Sequence, residues 1–155
     1  MAGTYTPADI MSRVIRIQAA HRGRQQILQA MALAIRAAAS SQTGSSDERD
    51  ILAFLEACLA ELSRSADETA TAWEKRSYWL KADRFRQDWL WTETIGRCLR
   101  QALTAADFER ARTCGMELAT HLHHVRAPAS RLQSRPWAGA WEKRNGYSKA
   151  TEAAC

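Results

Sequence analysis

The sequence predicts an all-α fold: an antiparallel bundle of three to four helices with long members and an irregular C-terminal tail. Three observations carry this. Helix-favouring Ala, Leu, Arg, Glu and Gln are plentiful while β-branched residues are sparse. Apolar residues recur at three- and four-residue spacing, with no alternating run of useful length. No Gly or Pro interrupts residues 47–95. At 155 residues, 46% hydrophobic and 25% charged, the chain suffices for one core closed without disulfides or metal. Collagen-like, mucin-like and wholly disordered classes are excluded.

The first helix opens at Thr6-Pro7-Ala8-Asp9, where Thr caps, Pro occupies the first helical position and Asp9 faces the positive helix end. Its stripe is Ile10, Val14, Ile17, then Leu28, Met31, Ile35 and Ala38, with His21 and Arg24 on the same stripe. The phase survives that polar gap, which predicts one helix over 7–39. Residues 40–46 are a polar loop, and Ser45 with Glu48 supplies a capping box for the next helix. Ile51, Leu52, Phe54, Leu55, Cys58, Leu59 and Leu62 make its broad apolar face. Near-continuity over 47–95 follows, with Ser63-Arg64-Ser65 the weakest place. The segment 104–107 reads as a turn in which Thr104 caps a last helix reaching His124. Residues 99–122 resemble a single tetratricopeptide-type hairpin, and without a second copy there is no repeat array. Residues 1–125 are thus a helical bundle domain and 126–155 a basic tail containing Pro, Gly and Trp.

Lys and Arg exceed Asp and Glu by 22 to 17, but unevenly. Residues 47–96 hold eleven acids against seven bases, while 1–46 carry five Arg against Asp9 and 125–155 carry six bases against two acids. Basic flanks folding back on an acidic middle would satisfy this pattern; so would an anionic partner. Cys58, Cys98, Cys114 and Cys155 have no CxxC spacing and read as reduced thiols. With no signal-like N-terminus and no apolar run long enough for a membrane span, the expected location is cytoplasmic.

The most informative stretch holds four of the six Trp: Trp73, Trp79, Trp89 and Trp91 fall within nineteen positions, beside Tyr78 and Phe85. On one helix these rings spread over several sides, more than one core face absorbs. The remainder meets other helices of the bundle, the tail, a second copy or another protein. Arg76, Arg84 and Arg86 among the rings match the composition of protein contact surfaces. Residues 72–76 (Ala-Trp-Glu-Lys-Arg) recur at 140–144, which makes Trp137 and Trp141 of the tail a second anchor, or else a pair that closes the bundle's own core.

The leading functional expectation is therefore a non-enzymatic protein-interaction or assembly factor, contacting a protein partner or itself through Trp73, Arg76, Tyr78, Trp79, Arg84, Phe85, Arg86, Trp89, Trp91, Trp137 and Trp141. No cofactor is implied. An alternative is an RNA- or DNA-associated accessory protein using Arg13, Arg16, Arg22 and Arg24 of the first helix with the tail; Glu74, Asp83 and Asp88 would repel phosphates from the aromatic stretch. A second alternative is a small metal-dependent helical enzyme, with Glu117 and His121 one turn apart, His123 and His124 nearby, and Glu56 or Glu61 opposite. Phosphate loops, nucleophile elbows and haem-attachment motifs are absent from the sequence.

Overall fold

All regular structure is helical among the residues described by the computed structural model, 7–128 and 134–153, with side chains placed for 19–128 and 134–146. The helices are α1 (Pro7–Ser40), α2 (Ser46–Glu74), α3 (Trp79–Thr104), α4 (Phe108–Leu122) and α5 (Ala140–Ala153). The all-α bundle is as expected, with five helices packed against one another. α2 touches all four others, because its buried side chains Ile51, Leu52, Leu55, Leu59 and Leu62 recur every three or four positions and face inward from both flanks of one stripe.

Polar contacts fix the start of two helices. Ser45 Oγ accepts the Glu48 N–H at 3.2 Å, and the Glu48 carboxylate accepts the Gly44 N–H at 3.0 Å, so the expected box forms one residue wider. Glu48 is buried and also pairs with Arg112 of α4. The last expected cap differs: Asp107, not Thr104, accepts the Arg110 N–H at 3.1 Å and opens α4. Asp107 lies next to the new helix, whereas Thr104 still belongs to α3.

The expected near-continuity over 47–95 is overturned by a reversal at residues 75–78. Ser77 takes a left-handed conformation, φ 65°. Its N–H bonds to Glu74 O at 2.9 Å and the Tyr78 N–H bonds to Trp73 O at 3.0 Å, the two bonds of a Schellman ending. The α3–α4 reversal repeats it, with Ala106 at φ 54°, Ala106 N–H on Leu103 O at 3.2 Å and Asp107 N–H on Ala102 O at 2.8 Å. Ser63-Arg64-Ser65 stays helical instead, braced by Arg64 to Glu61 and Glu68 on adjacent turns.

α2 and α3 then run side by side in opposite senses: Arg86 meets Asp67 and Glu74, while further along Gly96 faces Leu59. A Cβ at position 96 would stand 3.3 Å from the Leu59 Cβ, so the glycine sets how closely the helices approach. α3 and α4 are also opposed, joined by a Cys98–Cys114 disulfide and by Trp91 against His121. That bond corrects the reading of these two cysteines as reduced thiols; Cys58 is free.

The tail is not irregular throughout. Asp50 of α2 accepts the N–H groups of Gly139 at 3.1 Å and Trp141 at 3.0 Å, capping α5 from a neighbouring helix. Asp47 pairs with Arg135 and accepts Trp137 Nε1–H at 3.3 Å, while Glu56 binds Arg144 at 2.6 Å. The basic segment thus lies on the acidic one, and Trp137, at 2% exposure, completes the core.

The left-handed residues at the two helix reversals, Ser77 and Ala106, lead to one prediction. L-residues pay about 1–2 kcal/mol in this region and Gly does not. Ser77→Gly and Ala106→Gly should each raise unfolding stability by about 0.5–1 kcal/mol in urea titrations.

Candidate functional site

The reversal at Ser77 divides the aromatic run into an inner ladder and an outer corner. Trp73 at the end of α2 meets Phe85 of α3 edge-on at 4.9 Å; Phe85 lies 6.1 Å from Trp89, Trp89 6.2 Å from Trp91, and Trp91 stacks on His121 of α4 at 4.8 Å. All four residues from Trp73 to Trp91 are half-buried. Their rings are thus engaged with one another and keep only part of their surface open.

Arg24 closes the ladder from α1. Its guanidinium lies 5.1 Å from the Phe85 ring centre and 5.6 Å from that of Trp89, and donates to Ser65 Oγ and Thr69 Oγ1 at 3.0 Å each. At 4% exposure, it is not the nucleic-acid contact expected of it. Burial lowers its pKa; the π faces and hydroxyl acceptors offset part of the lost hydration, while Nε is buried without a hydrogen-bond partner. Arg22 is exposed, as is His21, which leaves the apolar stripe to Arg24. The side chains of Arg13 and Arg16 lie outside the described residues.

Arg86 is likewise committed, to Glu74, Asp67 at 3.0 Å and Thr71 at 3.2 Å; hydrogen bonds to Glu74 and then Asp67 raise its pKa. Trp137 is buried, and Trp141 packs on Phe108 at 5.6 Å with Arg144 beside it. Neither tail Trp is presented as a second anchor. His121 is taken up by Trp91, and among the described residues no group of three His, Cys, Asp or Glu could hold a metal ion.

What remains outward is the corner itself. Tyr78, Trp79 and Leu80, consecutive in sequence, are 58%, 64% and 65% exposed. Lys75, Arg76, Lys81 and Arg84 surround them, all exposed, and among the described residues none of the four forms an ion pair. Lys81 Nζ sits 4.5 Å above the Trp73 ring. Tyr78, Trp79, Leu80, Lys81 and Arg84, with Trp73, Ser77, Phe85 and Asp88, line an open concavity of about 820 Å³. Of the expected contact residues, the corner brings together Arg76, Tyr78, Trp79 and Arg84. Sequence reasoning missed Leu80, Lys75 and Lys81; the signal was their adjacency to a helix reversal that no Gly or Pro marks. No family model matches this chain, and no curated protein or solved structure matches it.

Two predictions follow from the buried groups. Arg24→Ala leaves a void over two rings and should cost about 2–4 kcal/mol in chemical denaturation, whereas Arg24→Met refills it without a buried charge and should stay within about 1 kcal/mol of the parent. Burial, with Glu61 adding repulsion, pushes the Cys58 thiol from 9.0 up to about 12. The folded chain therefore holds this proton where the unfolded chain releases it, so the contribution is intact below about pH 9 and declines as pH climbs towards 12. Urea midpoints should fall over that range, and Cys58→Ala should flatten the slope.

Proposed function

We propose that this protein is a non-enzymatic docking factor, an interaction or assembly component whose contact is the α2–α3 corner. The observation that carries the reading is the exposure of Tyr78, Trp79 and Leu80 while the neighbouring rings of Trp73, Phe85, Trp89 and Trp91 are partly enclosed by the bundle. Side chains of this size, more than half open, amount to about 400 Å² of contiguous apolar surface, within the range where exposed patches are commonly functional. Trp, Tyr and Arg are also the residue types that dominate binding energy when a surface is covered. The corner gains rigidity from the two backbone bonds around Ser77 and from Arg86, which spans α2 and α3 just beneath it. Preorganisation of this kind lowers the entropy lost on binding. The tail takes no part, its two Trp being engaged on the bundle.

Affinity purification of the intact chain beside Trp79→Ala/Leu80→Ser tests this. Both side chains are surface-exposed, so stability should change by no more than about 0.5 kcal/mol, while material recovered with the parent should be lost from the variant. Equal recovery from both would remove the corner from the proposal.

A further inference from the structure

The corner's shape and charge favour one class of partner over the others. Tyr78, Trp79 and Leu80 are successive residues at the start of α3, so their side chains fan out at about 100° steps rather than lining one helix face. A groove on a folded protein grips a helix through residues three and four apart; a fan of three at a tip suits a soft surface that closes around it. The exposed apolar area at the tip is about 400 Å². Charge adds to it. Lys75, Arg76, Lys81 and Arg84 outnumber Asp83 and Asp88 around the tip, and the adjacent Glu74 is paired with Arg86, so the acids that weigh against phosphate along the whole aromatic stretch still leave a positive balance at the corner. α3 begins at Tyr78 with no side-chain cap and no acid in its first turn, which leaves the positive helix end towards the same side.

We propose that the corner docks on the headgroup layer of an anionic lipid bilayer. Trp79 and Tyr78 enter the interfacial region, where amphipathic rings are favoured. Leu80 reaches towards the acyl boundary, and the four cations meet lipid phosphates and carboxylates. Attachment is peripheral: among the described residues no helix is long and apolar enough to cross a membrane. The inference rests on the docking reading above and names what is docked.

The test is co-sedimentation of the full chain with phosphatidylcholine vesicles containing roughly 30% phosphatidylserine, beside vesicles of phosphatidylcholine alone. Binding should be confined to the anionic vesicles and weaken as salt rises. Lys81→Gln and Arg84→Gln should each reduce partitioning about fivefold, and Trp79→Ala about tenfold or more. Met116→Ser, at an exposed site on α4, should change nothing. A blue shift of tryptophan emission on binding should be lost in Trp79→Phe, a variant that also serves if Trp79→Ala fails to fold. Failure to sediment with anionic vesicles, or sedimentation indifferent to the Trp79 and charge variants, overturns the inference. If the vesicles are ignored while Trp79→Ala/Leu80→Ser still loses its partner in affinity purification, the partner is a protein and the docking reading stands. If neither experiment responds to the corner, both fall.

Discussion

The close approach of α2 and α3 at Gly96 and Leu59 is the constraint on which the other arrangements rest. Gly96 brings no side chain to its contact with Leu59, and above that level Ala66, Ala70 and Ala82 are all buried, so the pair stays close up to the Ser77 reversal. That spacing lets Trp73 reach Phe85 and Arg86 reach Glu74 and Asp67. A bulkier residue at position 96 would force the helices apart or displace Leu59, in a core dense enough to feel a single methylene. The aromatic ladder and the corner would shift together.

Arg24 gives the interior a polar member without a carboxylate. Its partners are two hydroxyls on α2 and two rings on α3, so a single side chain of α1 senses the relative position of both neighbours. Directional contacts of this sort restrict how α1 slides along the hairpin, a restraint that an apolar stripe alone lacks. The arrangement also explains why the stripe of α1 passes through a polar gap: His21 turns to solvent while Arg24 is drawn inward.

Much of the fold was legible from local chemistry. Pro7 and the Ser45–Glu48 pair marked two helix starts, and the inward residues of α2 were readable from spacing. The break in the aromatic run was hidden because Ser77, not Gly, holds the left-handed corner, and the cost of that choice is met by backbone hydrogen bonds invisible in a one-dimensional pattern. On a continuous helix Trp73 and Phe85 would lie about 18 Å apart; the reversal brings their centres to 4.9 Å. The reversal therefore draws the inner rings together and leaves the tip of the run exposed. In the tail, Gly139 and Gly146 read as breakers, yet Gly139 supplies the positive φ of 78° just before α5, and Gly146 is accommodated within it. The uneven charge along the chain had pointed to tail and middle meeting, and Arg135 with Asp47 and Arg144 with Glu56 are that meeting.

The tail clamp imposes an order of events on synthesis. Asp47, Asp50 and Glu56 emerge early, and the groups that neutralise or cap against them arrive about ninety residues later. Until Trp137 is made, the nascent bundle keeps an unfilled slot flanked by carboxylates with incomplete counter-charge. The segment from Arg135 to Arg144 thus acts as a latch, delaying closure of the bundle until it has been made.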